Sequence, residues 1–490
     1  MATTRIRGRF VIGFEDNDHV VYEHGEVVYR DDRVIFVGHG YDGPVDEEWD
    51  TGDAIVSPGF IDLDALGDID HAIWDTWLTA DQARGIRWSE DYFRHRRAAV
   101  FSEDDIDFRR RYALVQLLLN GITTAMPIAA ETYQAWAETA REMRAMAERA
   151  IELGLRMYLG PSYRSGVNVT MTDGRPDVLF DEAEGERGFE EAVAFVREAD
   201  ALGSDLIHGA LLPARIETLT LDLVRRSREA SDELGCPVRL HAAQGAQEVA
   251  FLQQWYGKRP VPLLDELGFF GPRSMIVHAQ HIGDPAEPGS RETELGILAD
   301  SGTSIVYCPL TNMKYASPLD SFDRYRAAGV YIALGTDTFP PDMIRAMDYA
   351  NHLGKITAGD RAAASVADLF RAMTLGGAEA LGRDDLGRLA PGAKADITIV
   401  SLDDLAAGTI DDPLRTMCMN LSGTAVDSVV IDGRTVMRHR EIPGVDRDGM
   451  RRRAQDFFER YRDAYRGWDY QRRSAEALFP PSFRTVPPPR

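Results

Sequence analysis

Ser57-Pro58-Gly59-Phe60-Ile61-Asp62-Leu63-Asp64-Ala65-Leu66 is the stretch on which the reading of this chain turns. The run Asp53-Ala54-Ile55-Val56 feeds Pro58-Gly59, and an apolar lead-in then carries the chain to Asp64 as a strand starting near residue 60. Further strand candidates follow at Ile122–Met126, Leu155–Leu159, Leu206-Ile207, Val238–Leu240, Met275–Val277, Ser304–Tyr307 and Tyr331–Leu334. Helix-like stretches separate them, such as Ala137 to Leu153, rich in Ala, Glu, Met and Arg. Strands alternating with helices at this spacing imply βαβ units and a parallel sheet. With the first strand near 60, the spacing predicts an α/β fold of the (β/α)₈ TIM-barrel type.

In such a barrel the reactive groups sit where strands emerge at their C-terminal ends. Asp64 follows the first strand. His241 follows Val238-Arg239-Leu240, His278 follows Met275-Ile276-Val277, and Asp337 follows Ala333-Leu334-Gly335-Thr336. Two carboxylates and two imidazoles at one mouth point to hydrolytic or acid–base chemistry with a divalent metal. One counter-reading is a metal-free site, with His278 and Asp337 as a base pair and Asp64 orienting the substrate; another makes Asp64 an inert remnant of a lost site.

These residues also carry a resemblance. The pattern resembles the amidohydrolase superfamily, in its deaminase and chlorohydrolase-like branch, where P-G-[apolar]-[apolar]-[DN]-x-H-x-H ends the first strand. Tyr307-Cys308-Pro309-Leu310-Thr311-Asn312-Met313-Lys314 resembles that family's C-P-x-S-N segment, and Gly335-Thr336-Asp337 its G-[ST]-D. The likeness spans residues 20 to 440. It implies His241 and Asp337 as metal ligands, with His278 and Asp337 as catalytic groups; Asp64, His241 and Asp337 together give two carboxylates and one imidazole, an acceptable set for a divalent metal. It implies one divalent ion (zinc, manganese or iron), with a metal-free site as the alternative. Three positions depart from the pattern: Asp64 and Leu66 stand where it has His, and Gln244 where it has a proton-carrying Glu. A neutral amide hydrogen-bonds but carries no such proton.

Gln244, His281, Tyr163, Arg164, Asn312 and Trp74 form the expected substrate-binding set. For His281 a plain loop position competes with this role, for Tyr163 and Arg164 a surface turn, and for Gln244 a loop anchor. Residues 68 to 100, with Trp74, Trp77, Trp88 and Tyr92, are expected to wall the pocket. Asp68, Asp70 and His71 read as helix-capping or solvated residues with a shifted ligand set as the alternative. Arg109-Arg110-Arg111 and Arg451-Arg452-Arg453 read as solvated helix faces.

The domain reading places a small β-sandwich in residues 1–56 and 389–445, the barrel in 57–388, and a helix with an extended tail in 446–490. Phe457, Phe458, Tyr461 and Tyr465 are expected on one face of that helix, docked on the barrel or on a second subunit. A net charge of -24 argues against nucleic acid. Three scattered cysteines, no apolar run long enough to cross a bilayer and no leader-like start favour a cytoplasmic protein with a small-molecule substrate, no membrane partner and a homo-oligomeric state. The function expected is hydrolysis of a C–N bond in a small cyclic or aromatic amide, urea or amidine. The alternatives are a metal-independent lyase, isomerase or decarboxylase, and an inactive ligand-binding or subunit paralogue.

Overall fold

The computed structural model describes residues 2–69, 78–128, 135–136 and 138–486. Its centre is α/β. Eight parallel strands follow one another in the chain: Phe60–Ala65, Ile122–Pro127, Arg156–Leu159, Ile207–Gly209, Val238–Ala242, Ser274–His278, Ser304–Tyr307 and Tyr331–Leu334. Within the first four and within the last four each neighbours the next, with helices such as Glu103–Leu119, Ala140–Leu153 and Glu182–Ala201 between strands. Val, Ile, Leu and Met dominate these strands and nearly every residue is buried, as expected of strands covered on both faces.

The hydrogen-bonded ladder does not run unbroken around a ring. It divides into two sheets of four, the first four strands and the last four. The fourth strand is only three residues long, so little of it is left to pair with the fifth. A parallel bridge between Leu211 and Val238 and another between Arg215 and His241 span that seam. At the other seam Asp337 N donates to Asp64 O at 2.7 Å.

Both chain ends contribute to a second region. Ile397–Ser401 pairs antiparallel with Ala54–Pro58 in a six-stranded sheet, and Thr3–Arg7 lies within a separate four-stranded sheet. One apolar cluster draws on both sheets, including Ile6, Val27, Val56, Ile397 and Val430. This region is joined to the underside of the parallel strands by charge. Arg156, at the start of the third strand and fully buried, pairs with Asp396 and, at 3.3 Å, with Asp432. Lys394 Nζ reaches Asp205 at 2.6 Å and Asp432 at 2.7 Å.

The C-terminal helix Arg447–Trp468 docks on its own chain. It buries Phe457, Tyr461, Tyr465 and Trp468, and Phe457 stacks on Phe101 with ring centroids 3.9 Å apart. Phe458 is only half-buried, so the apolar face is narrower than its four aromatics suggested. The reading of Arg109 and Arg110 as solvated is overturned. Arg109 is fully buried against Asp68 at 3.1 Å and Glu142 at 3.3 Å, and Arg110 against Glu138. Asp68 is likewise buried and paired rather than solvated. Among the described residues no helix is long and apolar enough to cross a membrane.

Removing one member of a buried pair leaves the other charge uncompensated, which costs ~3–5 kcal/mol. Arg156→Met is therefore expected to lower the stability of the full chain by that amount, read from denaturant or thermal unfolding. An unfolding midpoint unchanged from wild type would contradict the structural role assigned to this cluster.

Candidate active site

The sites of Asp64, His241, His278 and Asp337 follow from strand geometry. Each lies at or just beyond the C-terminal end of its strand, the first, fifth, sixth and eighth. One ligand atom from each lies within 4.8 Å of the others. Asp64 Oδ2 stands 3.6 Å from His241 Nε2, and His278 Nε2 stands 3.7 Å from Asp337 Oδ2. His241 Nδ1 bonds Ala214 O at 3.0 Å, which fixes the ring and aims Nε2 at Asp64. Backbone strain gathers here. Ala243, His278, Ala279 and Asp337 all have φ between 49° and 74°, a left-handed conformation that costs a residue bearing a Cβ about 1–3 kcal/mol.

The electrostatics are those of a dry, crowded pocket. Burial alone would raise the Asp64 carboxyl, but the Arg239 guanidinium and then His241 outweigh it and hold the acid down at about 2. Burial and the neighbouring Asp64 charge push Asp337 up to about 6. Burial, reinforced by His241, keeps His278 neutral far below its ordinary range. Asp62, two residues before Asp64, is pushed up to about 7 by burial. It accepts hydrogen bonds from Thr336 N at 3.1 Å, Thr336 Oγ1 at 2.6 Å and Asp64 N at 3.2 Å.

The donor set fits a divalent cation. Both ring nitrogens of His278 and Oδ1 of Asp64 are buried without a hydrogen-bond partner among the described residues. Unsatisfied buried groups are costly, and a cation ligated by two carboxylates and two imidazoles, one atom from each residue, would satisfy one of the two His278 nitrogens.

Above this cluster lies a cavity of about 1050 Å³. His241, Asp337, Gln244, His281 and Arg164 line it. Asp64 and His278 are fully buried beneath. Asn312, also fully buried, sits against His278. Tyr163 does not belong to the wall. It is fully buried in the helix layer, where its hydroxyl bonds Ser227 Oγ at 2.7 Å, because the chain turns this side chain away from the face that Arg164 occupies. Trp74, Asp70 and His71 lie outside the described residues, as does Trp77. Trp88 lines the cavity, while Tyr92 packs behind it against Trp468.

Several site groups escaped the sequence reading. Arg215 lines the cavity and donates to Gln244 Oε1. Glu248 accepts from Ala243 N at 2.6 Å and Gln244 N at 2.9 Å, so it holds the loop after the fifth strand. Burial and the nearby Glu217 push its acid up. Glu217 accepts from Asn168 Nδ2 at 3.1 Å and keeps Oε2 without a partner among the described residues. Arg239 did carry a signal, a charge in an otherwise apolar strand and in register with His241.

Residues 55–436 match the model of the amidohydrolase family. The chain is 30% identical over 421 residues to a 5-methylthioadenosine/S-adenosylhomocysteine deaminase of Natronomonas pharaonis, covering 84% of this chain and 88% of that protein. It is 28% identical over 464 residues to the protein of the same name from Halobacterium salinarum, covering 92% and 96%. Among solved structures it resembles an adenosine deaminase from Xanthomonas campestris with bound zinc, with a TM-score of 0.75, 23% identity and coverage of 94% and 99%. It also resembles a mutant atrazine chlorohydrolase from Arthrobacter aurescens complexed with zinc and atraton, with a TM-score of 0.73, 20% identity and coverage of 93% and 100%.

If the cluster holds a metal, elemental analysis after metal-supplemented expression should find close to one ion per chain. Asp337→Asn and His241→Ala are each expected to weaken retention by at least about 10- to 100-fold. A variant that retains metal as wild type does would remove that residue from the ligand set.

Proposed function

This chain belongs to the amidohydrolase family, and we propose that it uses Asp64, His241, His278 and Asp337 to hydrolyse a C–N bond of a small cyclic molecule with water. The convergence of these four buried groups beneath one large cavity carries the reading. It is a hydrolase acting on non-peptide C–N bonds. Its substrate is a small cyclic or aromatic amide, urea or amidine. The named deaminase relatives, together with a cavity of about 1050 Å³ that has Trp88 in its wall, make a purine-like ring the first class to try.

A divalent ion, zinc, manganese or iron, would be held by Asp64, His241 and Asp337 with His278 beside them. When bound it makes water acidic enough to attack near neutral pH. The protein's own groups do the rest. Asp337, pushed up to about 6 by burial and the Asp64 charge, takes a proton from the attacking water. It returns that proton to the leaving nitrogen as the C–N bond breaks. His278, kept neutral by burial, is placed to stabilise charge on the oxygen that the attacking water adds to the substrate carbon. Gln244, its oxygen held by Arg215, presents an amide to the substrate and carries no proton. Arg164 and His281 contribute polar wall.

The same reading extends to the fold. The eight strands close into a (β/α)₈ barrel over residues 57–388, supported by the bonds across both seams. Residues 1–56 and 389–445 form a β-sandwich, supported by their shared apolar cluster. Three buried free thiols support a cytoplasmic setting.

The test is ammonia release from 5-methylthioadenosine, S-adenosylhomocysteine and a panel of amino-substituted purines and triazines. Wild type should release ammonia from at least one compound. Asp337→Asn should lower kcat/KM on it by at least about a hundredfold. Turnover within tenfold of wild type in that variant would end the assigned role of Asp337, and a product lacking the elements of water would replace the hydrolase with a lyase.

A further inference from the structure

Arg239 places a full charge inside a strand that otherwise reads as core. It lies between Val238 and Leu240, two residues before His241, so the pleat turns both side chains to the same inward face. Its side chain is 1% exposed. Nη1 donates to Leu63 O at 2.8 Å and Met126 O at 3.1 Å, and Nη2 donates to Pro127 O at 2.7 Å. Those carbonyls come from the ends of the first two strands, so the guanidinium is fixed in place. The same Nη1 stands 3.2 Å from Asp64 Oδ1, yet that oxygen accepts no hydrogen bond among the described residues. The contact is therefore Coulombic, and the oxygen's lone pairs stay free.

A buried arginine costs heavily unless something specific answers it. Here the answer includes the carboxylate that stands where the family pattern has an imidazole. We infer that Arg239 is a resident cation of the metal centre, which shares Asp64 with the bound divalent ion and keeps the affinity for that ion low. The inference rests on the metal reading of the site given above. A fixed positive charge and an incoming doubly charged ion repel one another on the same carboxylate, and a buried site screens that repulsion poorly. Without the ion, Arg239 leaves Asp64 compensated and the site stays folded. The metal accordingly enters and leaves a preformed pocket.

The experiment titrates chelator-stripped, full-length protein with Zn²⁺ and separately with Mn²⁺, by calorimetry or by competition with a chromophoric chelator. Arg239→Met removes the charge and keeps much of the side chain's length. Arg239→Gln removes the charge and keeps an N–H donor for the carbonyls. Both variants should bind one ion per chain with Kd lowered by at least about tenfold, and with a larger rise in melting temperature on adding metal than wild type shows. Adding Asp64→Asn to Arg239→Gln should erase the gain. Unchanged or weaker affinity in the neutral variants overturns the inference, as does a gain that survives Asp64→Asn.

The outcomes separate this inference from the catalytic reading. A wild type that binds no metal beside an Arg239→Gln variant that binds one ion sinks the catalytic metal and leaves Arg239's role standing. One ion per chain at equal Kd in all proteins does the reverse, and no binding in any of them sinks both. If the neutral variants do not fold without metal, refolding in the presence of Zn²⁺ with one ion bound supports the inference, and failure to refold overturns it.

Discussion

A carboxylate sealed from water needs a cation, an imidazole or N–H donors beside it, and this chain meets that demand chiefly by bringing distant strands together. Asp62 and Asp64 sit on one short strand with no access to solvent. Asp62 is satisfied by the backbone and hydroxyl of Thr336, just beyond the eighth strand. Asp64 is answered by Arg239 and His241 on the fifth. The polar groups that would be hardest to bury thus span the first, fifth and eighth strands. Asp337 follows Thr336 directly, and its N–H is bonded to Asp64 O. The floor of the site and the seam between first and last strands are one hydrogen-bonded structure.

The same rule operates away from the chemistry, with a different result. At the opposite ends of the strands, Arg156 and Lys394 gather Asp396, Asp205 and Asp432. This cluster joins the terminal sheets to the parallel core and faces no cavity among those described. Behind the first strand, Arg109 and Arg110 gather Asp68, Glu142 and Glu138, which anchors the loop leaving that strand. Charges paired among themselves in this way contribute structure. At the site His278 and Asp64 keep atoms with no hydrogen-bond partner among the described residues, and each residue can offer one ligand atom to a cation.

That difference sets what could be read from the sequence. Strand period and the strand-end rule located Asp64, His241, His278 and Asp337, because each follows a short apolar run within a few residues. Burial of Arg109 and Arg110 was not legible, since their partners lie as far as 43 residues away and local pattern shows only a charged helix. Tyr163 and Arg164 are adjacent and share every local signal, and only the packing of the helix layer sends one inward to Ser227 and the other to the cavity. The hairpin of Gly166–Thr170 and Pro176–Phe180 was passed over, although Asp173-Gly174 marks its turn. Arg239 was legible in principle, because a charge in register with a strand-end histidine has to be answered somewhere inside.

The departures from the family pattern form a single set once charge is followed. Across the three altered positions the pattern carries two imidazoles and one carboxylate, and this chain carries one carboxylate, a leucine and an amide. The negative charge has been moved, from position 244 on the cavity wall to Asp64 on the floor. On the floor it is matched by Arg239. On the wall the vacated charge is replaced by the Arg215–Gln244 contact, with Glu248 holding the loop behind it. Here the two polar alterations each have a local counterpart, Arg239 beside Asp64 and Arg215 on Gln244, while Leu66 adds no polar group that needs one.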